Sequence, residues 1–152
     1  METKENISRL LLNLSNTVIK NRNRHLEVIN LTASQADCIK FFLHNNGASI
    51  KDFSVATGIT HQTAQGIVSR LLDKKYLRVE KSEKDKRSQR VFITEEGLAI
   101  TEKIKENARK TADLLLKDMT ENEVEEFIRL LKKAYSNIKN DWLGDEKIEE
   151  QH

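Results

Sequence analysis

Apolar residues between positions 61 and 75 recur at the spacing of one helical face, and this pattern most limits how the chain can fold. The positions i, i+3, i+4, i+7 and i+8 are occupied by Ala64, Ile67, Val68, Leu71 and Leu72. One side of this predicted helix must therefore be buried. The other side carries small or hydrogen-bonding residues, which are His61, Gln62, Thr63, Gln65, Gly66, Ser69 and Arg70. A helix that is merely solvated usually carries more Glu and Lys there.

A short helix and a tight turn are predicted before that helix. Ser49 and Asp52 have the spacing of a capping box, Gly58 supplies the turn, and Thr60 can cap the next helix. A helix-turn-helix presents its second helix to the major groove of DNA. Gln, Ser, Thr, His and Arg are side chains that hydrogen-bond base edges, and a glycine such as Gly66 lets the backbone come close. An ordinary solvated helical hairpin is the alternative.

A basic hairpin is predicted after the helix pair. Residues 77–81 and 89–94 alternate in polarity, as the strands of a hairpin with a charged tip do. Between Gly47 and Thr94, ten basic residues minus five acidic ones leave a charge of +5, in a chain whose net charge is +2. Such a tip fits the negative potential of a narrow minor groove, although a charge run can also be only a solvated face. The predicted wing contacts are Lys84, Asp85, Lys86, Arg87 and Arg90, with Asp85 pairing with Arg87 or Arg90 to shape the tip.

The rest of the chain predicts long helices, so the expected fold class is mainly α with a small β-wing. Helical spacing extends from residue 7 to about 26, and Thr32 can cap a helix that ends near Asn46. Further helices are predicted from about residue 95 to 117 and after Thr120. The last residues, 143–152, are acidic and are expected to fray.

Several classes of protein are disfavoured by what the sequence lacks. It has no apolar run of membrane-spanning length and no secretory signal pattern, and its one cysteine fits a reducing compartment. We therefore expect a cytoplasmic, nucleoid-associated protein without a membrane partner. No glycine-rich nucleotide loop or hydrolase motif is present, so neither enzymatic activity nor a cofactor is expected.

Residues 31–98 resemble the MarR family of multiple antibiotic resistance regulators. The resemblance is carried by LTASQADCIKFF, SIKDFSVATGI, VSRLLDKKYLRVEKS and DKRSQRVFITEEG. Its most specific parts are the D-x-R wing signature at Asp85-Lys86-Arg87 and the strand-to-helix junction from Ile93 to Gly97. The chain departs from the family at Tyr76, where glycine is usual after the recognition helix, so the angle of the wing is left open.

The resemblance implies a homodimer whose two winged lobes grip a near-palindromic double-stranded DNA operator. The lobe would comprise residues 31–97 of a single domain, with dimerisation helices at 7–30 and 98–142 and an acidic tail at 143–152. It also implies a small aromatic or lipophilic effector. The wing arginine that enters the minor groove would be Arg87. Dimer contacts are expected from apolar stripes wider than a monomer needs, which include Ile7, Leu10, Leu11, Leu14, Phe127, Leu131, Tyr135 and Ile138.

Four alternatives stay open at this stage. A winged helix can serve as a protein–protein adaptor, and the long helices could simply close the core of their own subunit. Cys38 lies among apolar residues, which favours a buried, inert thiol over a redox sensor. Some regulators of this kind sense zinc, and Cys38 and His44 could converge with Glu102 or Glu106, although no spacing typical of metal ligands supports this.

Overall fold

The computed structural model describes residues 4–84 and 88–149, with residue 5 and residues 142–149 described by their backbone alone. These residues form six helices and a two-stranded sheet. The helices are α1 (Lys4–Val28), α2 (Ala33–His44), α3 (Ile50–Thr57), α4 (His61–Asp73), α5 (Glu95–Leu116) and α6 (Glu121–Glu149), and the strands are β1 (Leu77–Lys81) and β2 (Gln89–Ile93). The predicted mainly helical fold with a small β-wing is confirmed.

The chain divides into two compact units, Met1–Thr111 and Ala112–His152. The first contains α1 to α4, the hairpin and most of α5, and the second contains the end of α5 and α6. No described helix is both long enough and apolar enough to cross a membrane.

Helix starts are set by local hydrogen bonds that the sequence predicts. At α2 the Gln35 amide donates to the Thr32 hydroxyl at 3.1 Å, and the Gln35 side chain accepts from the Thr32 amide. Ser49 and Asp52 make the same reciprocal pair at α3. Thr120 and Glu123 do so at α6. Each pair satisfies amides that the first turn of a helix leaves without partners.

One apolar core holds the elements of the first unit together. The rings of Phe41, Phe42 and Phe53 meet at centroid distances of 5.0 to 5.8 Å, which joins α2 to α3. The buried apolar residues are Leu26, Leu31, Ala36, Cys38, Ile39, Phe42, Phe53, Ala64, Val68, Leu71, Leu77, Val91 and Ile100. Because α4 contributes Ala64, Val68 and Leu71 to this core, its opposite side faces outward.

The hairpin is antiparallel and is bound to the turn between α2 and α3. Its register runs from Leu77 opposite Ile93 to Lys81 opposite Gln89. The Gly47 amide donates to the Val91 carbonyl, and the Val91 amide donates to the Ala48 carbonyl, both at 2.8 Å. The wing is thereby fixed to the helix-turn-helix through the backbone.

The end of α4, the first strand and the start of α5 meet in a tight junction. Lys75 has a φ of +63°, a left-handed conformation that is unusual for a residue with a side chain. Half-buried Tyr76 then packs against the core. Its carbonyl accepts from the Thr94 amide at 3.1 Å, and the Thr94 hydroxyl accepts from the Gly97 amide at 3.0 Å. The chain therefore turns into β1 without the family's usual glycine at position 76.

The last helix extends further than the sequence analysis predicted. Its backbone continues through Leu143 to Glu149 instead of fraying after Leu143. The segment beyond Leu143 is rich in Glu and Lys, both good helix formers. Helix propensity therefore outweighs the loss of apolar residues in this part of the chain.

Candidate nucleic-acid interface

Helix α4 forms an exposed ridge whose start is fixed by Thr60 and Gly58. Gly58 has a φ of +68°, so it ends α3 in a left-handed turn that residues with a side chain rarely adopt. The Thr63 amide then donates to the Thr60 hydroxyl at 3.1 Å, which caps α4. Ala64, Val68 and Leu71 are fully buried on the inner side.

The seven residues predicted for the recognition helix all lie on the exposed surface of this ridge. At 100° per residue, Gln62, Gly66 and Ser69 lie opposite the buried side and form what we term the crest. His61 and Gln65 flank the crest on the side of the wing, whereas Thr63 and Arg70 flank it on the side of α2. The sequence prediction that these residues share one accessible surface is therefore supported by their placement.

A groove of about 520 Å³ separates α4 from the wing. This wing-side groove is lined by Ser49, Ile50, Lys51, His61, Gln65, Ser88 and Gln89. Ser49 was predicted only as a helix cap, and Lys51 only as part of the basic charge. A bridge between Ser49 and Arg90 brings the start of α3 beside β2. The sequence carries no local signal for this contact, because the two residues are far apart along the chain.

Two adjoining grooves lie on the other side of α4, and together we term them the α2-side groove. The part of about 220 Å³ is lined by Thr32, Gln35, Thr63, Gly66, Ile67 and Arg70. The part of about 330 Å³ continues along residues 27–32 to Lys74. The Lys74 ammonium donates to the Asn30 carbonyl and to the Gln35 side-chain oxygen, so Lys74 fastens the end of α4 to the α1–α2 turn. The ridge thus has a groove on each side.

Arg90 is partly engaged within the wing. Its Nε donates to the Gly47 carbonyl at 3.1 Å, and its guanidinium lies 5.4 Å from the centre of the Phe92 ring. The Arg78 guanidinium lies 4.6 Å from the same ring. Arg90 therefore links β2 to the α2–α3 turn, a role that the sequence analysis missed because it depends on the strand register.

Of the remaining predicted wing residues, the structure describes Lys84 alone. Lys84 is exposed beside the hairpin tip. Asp85, Lys86 and Arg87 lie outside the described residues, so their contacts with DNA and the pairing of Asp85 remain predictions. The charge at the described base of the wing comes from Arg78, Glu80, Lys81 and Arg90.

Exposed apolar side chains follow α1 and, separately, α6. On α1, Ile7, Leu10 and Leu11 are exposed and Leu14 is half-buried. On α6, Leu131, Tyr135 and Ile138 are exposed and Phe127 is half-buried. These are the residues that the sequence analysis assigned to dimer contacts.

Cys38 is fully buried, as predicted. Burial raises the pKa of its thiol to about 12, which suppresses the reactive thiolate.

The residues that the structure describes contain no cluster of three or more His, Cys, Asp or Glu side chains that could hold a metal ion. The suggested convergence of Cys38, His44, Glu102 and Glu106 is therefore absent from the described structure.

The lobe built around α4 is similar to known proteins in sequence and in fold. Residues 29–88 match the model of the MarR family. Over these residues the chain is similar to the MarR family. This agrees with the resemblance found in the sequence, and the match covers α2, α3, α4, β1 and the residues leading to β2. No curated protein matches the sequence.

Solved MarR-family structures share the fold over most of the chain. The apo form of MarR from E. coli is 22% identical, with a TM-score of 0.75 over 84% of this chain and 94% of that one. A MarR transcriptional regulator from Methanosarcina mazei is 22% identical, with a TM-score of 0.72 over 90% and 99%. A mutant of S. aureus MepR bound to an oligodeoxyribonucleotide is 20% identical, with a TM-score of 0.68 over 87% and 97%. At these identities the likeness shows a common fold.

Proposed function

We propose that this protein is a transcriptional regulator that binds double-stranded DNA in a sequence-specific manner through α4. The observation that carries the proposal is the crest of α4, where short hydrogen-bonding side chains project between two grooves. Solved relatives of the same fold include MepR with an oligodeoxyribonucleotide and a mutant E. coli MarR with operator DNA. Their DNA partners motivate the same class of partner here.

The dimensions of DNA suit a ridge with a groove on each side. The major groove is about 12 Å wide, close to the diameter of an α-helix with its side chains. A helix seated there has one phosphodiester backbone on each side. In our proposal, Lys51 contacts one backbone from the wing-side groove. Arg70, which makes no ion pair with a described residue, contacts the other.

The wing is proposed to reach the adjacent minor groove. Lys84 is exposed near the tip, and Lys86 and Arg87 follow it in the sequence after Asp85. A cationic tip is attracted by the concentrated negative potential of a narrow minor groove without base-specific hydrogen bonds. In this arrangement Arg90 holds the wing in place and adds charge, whereas Arg87 supplies the insertion.

We further propose that the active species is a homodimer that binds a near-palindromic operator and represses transcription. The apolar residues exposed on α1 and α6 would be covered by a second copy, in agreement with helices 7–30 and 98–142 as the dimerisation segments. Two-fold symmetry would place the two α4 helices about 34 Å apart, one turn of DNA, or a multiple of that. A small aromatic or lipophilic effector that alters this spacing would release the operator.

The deciding experiment is selection of bound duplexes from a random-sequence pool, followed by fluorescence anisotropy with the selected duplex. We expect a two-fold-related consensus, tight binding and a steep loss of affinity with salt, because each phosphate contact adds about 0.9 to the logarithmic slope. Equal affinity for selected and scrambled duplexes at physiological salt would overturn the proposal.

Two variants that remove one positive charge each distinguish a direct contact with DNA from the general effect of net charge. Arg70→Ala removes a cation on the flank of α4, whereas Lys40→Ala removes an exposed cation on α2 that lines neither groove. We expect Arg70→Ala to lower affinity at least tenfold and Lys40→Ala to lower it less than twofold. Similar losses in the two variants would argue against α4 as the contact surface.

The adaptor alternative receives little support from the exposed side of α4. A protein-binding surface is enriched in aromatic residues and Met at its centre. The crest carries Gln62, Gly66 and Ser69 instead. Recovery of a stoichiometric protein partner, together with a failure of the DNA selection, would reverse this ranking.

A further inference from the structure

Gly66 occupies the middle of α4, where nothing within the chain requires a glycine. Its φ is not in the left-handed region, unlike those of Gly47 and Gly58. A Cβ built on Gly66 meets no atom within 4 Å. Glycine is among the least favourable residues inside a helix, and alanine is the most favourable. Neither backbone conformation nor internal packing therefore accounts for this residue.

The missing side chain leaves a notch in the crest. Gln62 lies one turn before Gly66 and Ser69 about one turn after it, and both project from the same side of α4. Ile67 and Thr63 flank the notch on the α2 side, where they line the groove with Gly66. The notch is therefore an exposed depression between longer side chains.

The floor of the notch can offer only van der Waals contact. It consists of the Gly66 Cα and of helical backbone, whose amides and carbonyls are hydrogen-bonded within α4. A polar group pressed against this floor would lose its bonds to water without replacement, which is unfavourable. An apolar group has no hydrogen bonds to water to lose. The chemistry of the notch therefore selects a small apolar group.

We propose that the notch at Gly66 receives the 5-methyl group of a thymine in the operator. Among the base-edge groups in the major groove, the thymine methyl is the apolar one. A Cβ on residue 66 would project into the space that this methyl occupies. The inference rests on the proposed function, and it adds a specific preference, namely one thymine in each half-site facing Gly66.

The test uses the duplex that the protein selects from a random pool. Each thymine of one half-site is replaced in turn by deoxyuridine, which removes only the methyl group and keeps the base pair. We expect one position at which the replacement weakens wild-type binding about fourfold, which corresponds to one buried methyl group. Replacing the symmetry-related thymine in the other half-site as well should lower affinity by the same factor again.

Gly66→Ala provides the complementary measurement. Because alanine favours the helix and meets no atom here, we expect the melting temperature to rise by about 2–4 °C. Affinity for the selected duplex should nevertheless fall at least tenfold, and the preference for thymine over deoxyuridine at that position should disappear. A more stable protein that binds less well cannot be explained by misfolding. Ser69→Ala, on the same crest, should retain the preference.

The outcomes distinguish this inference from the function on which it rests. A pool that yields no preferred sequence overturns the proposed function. The inference alone is overturned by a preferred operator with no thymine in its half-site, or by one whose binding no deoxyuridine replacement weakens. It is also overturned if Gly66→Ala binds the duplex and prefers thymine as the wild type does. A third contrary result is a loss of affinity in Gly66→Ala when the wild type itself shows no thymine preference. That result would indicate that a phosphate, and not a methyl group, approaches Gly66 closely.

Discussion

The carbonyl oxygen of Tyr76 occupies the space that a Cβ on Gly97 would need. This contact brings the first turn of α5 against the backbone that follows α4. Tyr76 also accepts a hydrogen bond from the Thr94 amide, so the end of α4, the wing and α5 are held in one junction. The glycine of the family's strand-to-helix signature therefore has a packing role in this chain.

Gly97→Ala should destabilise the protein because the added methyl group collides with backbone, which cannot rotate away as a side chain can. We expect a loss of about 2–3 kcal/mol in the free energy of unfolding, measured by urea denaturation. Gly66→Ala is the matched control, since the same substitution there meets open space. Equal stability of the two variants would contradict the role assigned to the junction.

Lys75→Gly should stabilise the protein. Lys75 has a φ of +63°, and glycine adopts such a conformation without the steric cost that a Cβ imposes. We expect a gain of about 1 kcal/mol in the free energy of unfolding. Lys75→Ala removes the same charge but keeps the Cβ, so it should show no comparable gain.

Arg90 and Lys84 should respond differently to substitution. Arg90→Ala removes the hydrogen bond to Gly47 and the contact with Phe92, so we expect a loss of about 1–2 kcal/mol in stability as well as weaker DNA binding. Lys84 is exposed, and Lys84→Ala should leave thermal unfolding unchanged while lowering the salt slope of DNA binding by about 0.9. If Arg90→Ala unfolded at the wild-type temperature, its positioning role would be wrong.

The Cys38 thiol should be unreactive in the native protein. Because burial raises its pKa to about 12 from an ordinary value of 9.0, the thiolate fraction at pH 8 falls roughly a thousandfold. A chromogenic disulfide reagent should therefore react far more slowly with the native protein than with the protein in urea. Similar rates in both conditions would restore Cys38 as a candidate redox sensor.

Asp52 should contribute to stability in a pH-dependent manner. Hydrogen bonds from the Ser49 backbone amide and hydroxyl lower the pKa of Asp52 below its ordinary 3.8. A lowered folded-state pKa means that the contribution is complete above about pH 5 and is lost as the pH falls through the folded-state value. Asp52→Asn should cost about 0.5 kcal/mol at pH 7 and nothing at strongly acidic pH, as followed by thermal unfolding. Asp113→Asn, which removes a carboxylate with no hydrogen bond from a described residue, should show no such difference.

Local patterns in the sequence predicted the elements of this fold well. The cap at Thr32, the capping box at Ser49 and the helix start after Thr120 formed where the sequence indicated, because such bonds depend only on neighbouring residues. The exposed side of α4 was likewise predictable from helical periodicity. The strand positions followed from alternation, with β2 ending at Ile93, one residue before the predicted end.

Features that depend on tertiary contact could not be predicted. Gln35 is polar but buried, and its side-chain oxygen accepts a hydrogen bond from Lys74, which follows the end of α4. The presence of a groove on each side of α4 depends on how the wing and the start of α2 pack beside this helix. The engagement of Arg90 with Gly47 arises from the register of β2 against the α2–α3 turn. None of these contacts leaves a pattern among neighbouring residues.

If the protein binds DNA as proposed, the acidic end of α4 limits how much DNA each subunit of the dimer can read. Asp73 projects in the same direction as Gln62 and Gly66, so its carboxylate would be repelled by phosphates if the whole helix entered the groove. Only the stretch from Gln62 to Ser69, about 10 Å long, can then lie deep, and this length spans about three base pairs. A DNA site this short occurs by chance throughout any genome. In the proposed dimer, discrimination between DNA sequences would therefore depend largely on the fixed distance between the two α4 helices.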